Sequence, residues 1–232
     1  MLLFRGRHLP NKYNTLANKK ITRTDGKLSQ QSILEATLVV ILESGIRSVK
    51  YKTVAEVAGV TQSAVAYYFS GIPDLIEKAF RFYFEKYKEE MAYTRQLGQR
   101  LLAHFSVNEL QETSERIRFV AMYTDALMEL LSAEQEDLKV YLLLDRIFRN
   151  ETLINKPLYL ILKIQDQYDI DAIENMFAVL QTENPPFEAI QFMALLWYIA
   201  EKLLQENYKA KELVKARLLI ENMLHQILSI PK

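Results

Sequence analysis

The 232-residue sequence predicts an all-α protein, and three observations carry the prediction. Apolar residues recur at helical intervals from about residue 30 to the C-terminus, no segment shows the alternation of a strand, and polar or Pro-containing breaks separate the periodic segments. The expected architecture is an N-terminal three-helix unit built around a helix-turn-helix, followed by a larger helical domain.

Residues 1–28 stand apart. They lack apolar periodicity, include Pro10, Gly26 and several Asn, and hold seven Lys and Arg against one Asp. A segment of this kind is expected to be flexible when free, serving either as a basic arm on a polyanion or as a solvated tail. Ordered structure is expected over 29–75 and 76–232.

The first helix is read from Ile33, Ala36, Val40 and Ile41, a stripe that ends at Gly45. The second is read from Val54, Ala55 and Ala58, followed by Gly59 where a helix commonly stops in the left-handed conformation that Gly adopts cheaply. Val60 can plug the angle that follows. Thr61 then opens a third helix as its N-cap, and Val65 and Phe69, four apart, share the face that points into a core. The remaining face carries Gln62, Ser63, Ala66 and Tyr67. Two helices joined by so short a turn form a helix-turn-helix, whose second helix can enter the major groove of DNA, although any helical hairpin with a Gly turn imitates the pattern. Ser70-Gly71-Ile72-Pro73-Asp74-Leu75 breaks the chain and restarts it, with Pro73 suited to a first helical turn.

The order Ile33-x-x-Ala36, Gly45, Val54-Ala55, Ala58-Gly59-Val60, Tyr67-Tyr68-Phe69 and Asp74-Leu75 resembles the N-terminal DNA-binding domain of the TetR family of bacterial transcriptional regulators. The likeness covers about residues 30 to 80, and the remainder is similar only in being a helical domain of the expected length. It implies that double-stranded DNA is contacted by Lys52, Thr61, Gln62, Ser63, Ala66, Tyr67 and Tyr68. The sequence departs from the family where Ala66 replaces a common Tyr, Tyr68 a common His, and Ile72 a phosphate-binding Lys. Tyr68 can take over a phosphate contact, so the departures bear on which operator is read.

Beyond Leu75, helices are expected near 74–97, 114–132, 135–149, 157–181, 186–206 and 210–229. The segment 114–132 is apolar on most sides, leaving Arg118, Asp125 and Glu129 as a narrow polar stripe, so it belongs in the middle of its domain. The last two segments resemble the pair that forms a four-helix dimer interface in TetR-like proteins, with Leu213, Ala216, Ile220, Leu224 and Ile227 as the expected interface stripe. Read alone, such a stripe is more often ordinary core. A small apolar or amphipathic effector could be enclosed by Tyr87, Phe119, Met122, Tyr123, Tyr141, Phe148, Tyr159 and Trp197, for each of which plain core packing is the competing reading.

Charge and composition agree with a DNA-binding protein. Net charge is zero, yet ten Lys and Arg face four acids up to Ile72, a balance of +6 that leaves −6 for the rest. There is no Cys, no membrane-length apolar run and no phosphate-binding glycine loop, and His8, His104 and His225 have no metal-ligand spacing. No enzyme, cofactor or metal site is expected, and the setting is cytoplasmic. Two functions fit: a ligand-responsive regulator, commonly a repressor, bound to a pseudo-palindromic operator as a homodimer, or a DNA-binding factor for chromosome organisation or protein interaction with no small-molecule ligand. A large apolar cavity among the C-terminal helices favours the first and a filled core the second.

Overall fold

A computed structural model describes residues 26–106, 108–131 and 136–231; the expected basic arm lies outside them except for residues 26–28, which form the first turn of a helix. Among the described residues there are helices and connecting turns but no strand. The helices are α1 (Gly26–Ser44), α2 (Tyr51–Ala58), α3 (Gln62–Tyr68), α4 (Ile72–Lys86), α5 (Lys88–Arg95), α6 (Leu97–Leu102), α7 (Thr113–Leu130), α8 (Glu136–Thr152), α9 (Lys156–Val179), α10 (Pro185–Gln205) and α11 (Ala210–Ile227). They divide into two compact units, the first ending at Glu85 and the second beginning at Lys86. The division falls at the end of α4, later than the break read at residue 75, because Leu75, Ala79, Phe80 and Tyr83 are all buried along one continuous helix.

In the N-terminal unit α1 packs on α2 and α2 on α3. Ile33, Ala36, Leu38, Val40 and Ile41 of α1 are buried, and the buried Thr37 hydroxyl donates to the Ile33 carbonyl at 2.8 Å, so its polarity is satisfied within the helix. The turn into α2 is tied by Thr53, whose hydroxyl accepts from the Lys50 N–H at 3.1 Å and donates to the Ser48 carbonyl at 2.9 Å.

The second unit is built on α7, α9, α10 and α11. Phe105, Phe119, Tyr123, Phe192 and Phe177 form a chain of ring contacts with centroids 5.7 to 6.1 Å apart, the edge and offset geometry that aromatic quadrupoles favour. Gly98 lets α6 approach α9, since a Cβ there would run into the Met176 side chain. The segment expected near 74–97 is interrupted at Tyr87, whose backbone leaves the helical region at φ −102, ψ 9 while its ring packs edge-on against Tyr141 at 5.5 Å. The short helix α6 has no counterpart in the sequence reading, because Gly98, Gln99 and Arg100 dilute its periodicity.

The stripe expected to hold a dimer lies elsewhere. Ala216, Ile220, Leu224 and Ile227 are buried within the single chain, with Leu224 0% exposed, and Leu213 is packed against the same core. A side chain already enclosed by its own subunit cannot meet a second one. The large apolar residues that α10 and α11 leave to solvent are Phe187, Ile190, Trp197, Tyr198, Val214 and Leu218.

Candidate nucleic-acid interface and effector cavity

The helix-turn-helix is closed by local chemistry. Gly59 adopts φ 67, ψ 30, and the Val60 N–H reaches back to the Ala55 carbonyl at 3.0 Å, so the end of α2 is capped by the left-handed residue itself. Thr61 is the N-cap of α3, its hydroxyl accepting from the Ala64 N–H at 3.2 Å. Val65 and Phe69 are buried, which fixes the roll of α3 about its axis. A long-range bond sets the angle between the helices: the Tyr51 hydroxyl donates to the Phe69 carbonyl at 3.0 Å, joining the start of α2 to the end of α3.

This roll turns Thr61, Gln62, Ser63, Ala66 and Tyr67 outward. Tyr67 is 82% exposed, an unusual position for so much apolar surface unless another surface covers it. Tyr68 is half-buried and meets Tyr67 edge-on at 5.1 Å, which steadies both rings. Lys52 is exposed on α2. The expected contact residues are thus accessible together on the α2–α3 hairpin. Lys50, which the sequence reading passed over, is also exposed at the start of α2 and adds a second cation there.

Beyond α3, the Ser70 N–H donates to Asp74 at 2.9 Å and the Lys78 ammonium reaches the same oxygen at 3.0 Å, while Lys78 also lies 5.3 Å from the Phe69 ring centroid. Burial works against the Asp74 charge, but these donors win and hold the carboxyl below its usual range.

In the second unit, a cavity of about 180 Å³ opens among α5 to α10. Its apolar lining includes Tyr123, Tyr141, Met176, Met193 and Trp197. Of the eight residues expected around an effector, Tyr123, Tyr141 and Trp197 line it; Phe119, Phe148 and Tyr87 are buried in packing away from it, Met122 lies against the core, and Tyr159 faces a shallow surface groove. The charged members were not anticipated: Arg95, Asp145, Arg149 and Asp169 all line the cavity. A signal existed, because Tyr141, Asp145 and Arg149 follow one another at intervals of four and so share a helix face.

Arg149 donates to Asp145 at 2.6 Å and to both oxygens of Asp166 at 2.7 and 3.0 Å, and its guanidinium lies 4.8 Å from the Trp197 ring centroid. Arg95 donates to Asp169 at 2.5 Å and to Gln165 at 3.1 Å. Burial pushes the carboxyls of Asp145 and Asp169 above their ordinary range against the pull of the arginines, and it pushes the Tyr123 phenol up as well.

Among the described residues, no group of three or more His, Cys, Asp or Glu could hold a metal ion, and no helix is long and apolar enough to cross a membrane.

No protein-family model matches the chain, and no curated protein is similar to it in sequence. Solved structures are similar in fold. A TetR transcription regulator from Haloarcula marismortui aligns with a TM-score of 0.60 at 15% identity, covering 87% of this chain and 98% of its own. A protein described as a transcriptional regulator from Saccharomonospora viridis, in complex with choline, aligns with a TM-score of 0.61 at 15% identity, covering 86% and 96%. NalD, the secondary repressor of the MexAB-OprM multidrug efflux pump in Pseudomonas aeruginosa, aligns at 0.51 and 19% identity over 87% and 97%. The chain has the all-α fold of the TetR-family transcriptional regulators, a helix-turn-helix unit followed by a helical domain.

Proposed function

We propose that the protein is a DNA-binding transcriptional regulator that holds a pseudo-palindromic operator as a homodimer and releases it when a small molecule fills the cavity of its second unit. The observation that carries this reading is the outward face of α3, where Gln62, Ser63, Ala66 and the 82%-exposed Tyr67 project from a helix locked by its own cap and core residues. Gln62 and Tyr67 read base edges, Gln being able to bond adenine through two hydrogen bonds, while Lys52 and Tyr68 hold phosphates.

The homodimer rests on the exposed apolar residues of α10 and α11, a surface that two copies related by a two-fold axis would cover. Two such subunits present two recognition helices to two half-sites, which is why a palindrome is expected. The cavity favours a ligand-responsive regulator over a DNA-binding factor without an effector, since a filled core would leave no place for one. Release follows if the ligand prefers an arrangement of the dimer that DNA does not. Among the similar structures, one in complex with choline supports effector binding and one that is a repressor of an efflux pump supports repression.

The test is retention of genomic DNA fragments by the purified protein, followed by footprinting of the retained site. A protected two-fold repeat is the expected result. Gln62→Ala should relax one base preference in each half-site, and Lys52→Ala should weaken all sequences alike and lower the salt slope by about 0.9 per lost phosphate contact. Failure to retain any fragment above random DNA would overturn the reading.

A further inference from the structure

Two arginines and two aspartates line the cavity, and a third aspartate, Asp166, is bound to one of the arginines. Arg149 engages three of its five N–H groups, and Asp166 accepts through both oxygens. Arg95 is engaged by Asp169 and Gln165, and it lies 5.7 Å from the Tyr168 ring centroid. Both arginines are thereby tied to carboxylates, and Arg149 is shared between two of them. Asp145 accepts one bond, from Arg149 Nε, and Asp169 accepts one, from Arg95 Nε, although an ionised carboxylate has about four acceptor positions. These two are the carboxylates that line the cavity, whereas the fully engaged Asp166 does not. The cluster as a whole holds three carboxyl groups against two guanidinium groups.

The rest of the wall suits the same kind of occupant. Tyr123, Tyr141 and Trp197 present ring surface to the space, and aromatic faces attract cations. The Trp197 ring already attracts one internal cation, the Arg149 guanidinium. A volume of about 180 Å³ slightly exceeds the roughly 150 Å³ that encloses a benzene ring, which sets the size of the guest.

We infer that the cavity takes a small organic monocation, its apolar body among Met176, Met193 and the aromatic rings and its positive charge against Asp145 and Asp169. The inference rests on the effector reading above and specifies the chemical class of that effector. A cation would share Asp145 and Asp169 with the arginines, an anion would be repelled by those carboxylates, and a neutral guest of the same shape would leave their open acceptor positions unused.

The chain contains one tryptophan, Trp197, so its fluorescence reports on the cavity without labelling. Phenyltrimethylammonium, its neutral carbon isostere tert-butylbenzene, and benzoate are titrated separately into the full-length protein. The expected result is saturable quenching by phenyltrimethylammonium, at least about ten-fold weaker binding of tert-butylbenzene, and none by benzoate. Asp145→Asn should weaken the cation at least about ten-fold and leave the neutral probe unchanged, with circular dichroism melting confirming that the variant is folded. The comparison of isosteres on the unaltered protein decides the question even if the variant does not fold. Equal or tighter binding of tert-butylbenzene, or tighter binding of benzoate, would overturn the cation class while leaving an effector site in place. No saturable signal from any of the three would overturn this inference and the effector reading together, and DNA retention would still test the DNA-binding reading separately.

Discussion

The Arg116 guanidinium donates to the carbonyl of Leu228 at 2.9 Å, across 112 residues of sequence, and to the carbonyl of Leu110 at 2.8 Å. Leu228 closes α11, and Leu110 lies in the short turn before α7, so one side chain pairs with a carbonyl at the end of a helix and with another in a turn. Arg116→Lys keeps the charge but loses the planar fork, and a single ammonium cannot span both acceptors in the same geometry. The substitution is expected to destabilise the second unit by about 2 kcal/mol, within the range for charged hydrogen bonds. Urea unfolding monitored by circular dichroism measures this, and a loss below about 0.5 kcal/mol would count against the role.

Gly59 tests the turn. A Cβ there meets nothing within 4 Å, so Gly59→Ala is opposed only by the left-handed backbone at φ 67. The expected cost is about 1–2 kcal/mol. Because the strain sits between α2 and α3, operator affinity should fall as well, which a titration of labelled operator would reveal. Unchanged stability would mean that the turn relaxes without consequence.

Asp74 sets a pH dependence. Its carboxyl is held below the ordinary value of about 3.9 by Ser70 and Lys78 despite the opposing effect of burial, so the folded state binds its proton less tightly than the unfolded state does. The resulting stability is fully present above the unfolded value and is lost as pH falls through the depressed folded value. The stability difference between the unaltered protein and Asp74→Asn should therefore be constant near neutrality and shrink below about pH 4. Parallel denaturant titrations across that range provide the measurement, and a difference independent of pH would refute it.

The two faces of α11 separate assembly from folding. Leu218 is 53% exposed and Leu224 is 0% exposed. Leu218→Asp should give folded monomers by sedimentation, because it places a charge on the proposed subunit contact. Leu224→Asp should instead unfold the second unit, since it forfeits about 1.5–3 kcal/mol of burial and adds an unpaired charge to the core. A protein that sediments as a monomer at micromolar concentration without any substitution would remove the dimer.

The sequence by itself determined the features that depend on a few neighbouring residues. The Gly59 turn, the Thr61 cap and the inward pair Val65 and Phe69 were legible because each is a local matter of backbone conformation, capping or helical spacing, and once they are set the outward face of α3 follows. Tertiary structure decided what neighbouring residues cannot. Periodicity showed that Ala216, Ile220, Leu224 and Ile227 share a face but not which surface covers it, and packing turned that face into its own core while leaving Val214 and Leu218 outside. The same holds for the cavity wall. Arg95 meets Asp169 across 74 residues and Arg149 meets Asp166 across 17, and these charges converge only because the burial of apolar faces elsewhere on α5, α8 and α9 brings the helices together. Helical spacing fixes the direction of a side chain on its own helix, and the long-range packing of helices fixes what it meets.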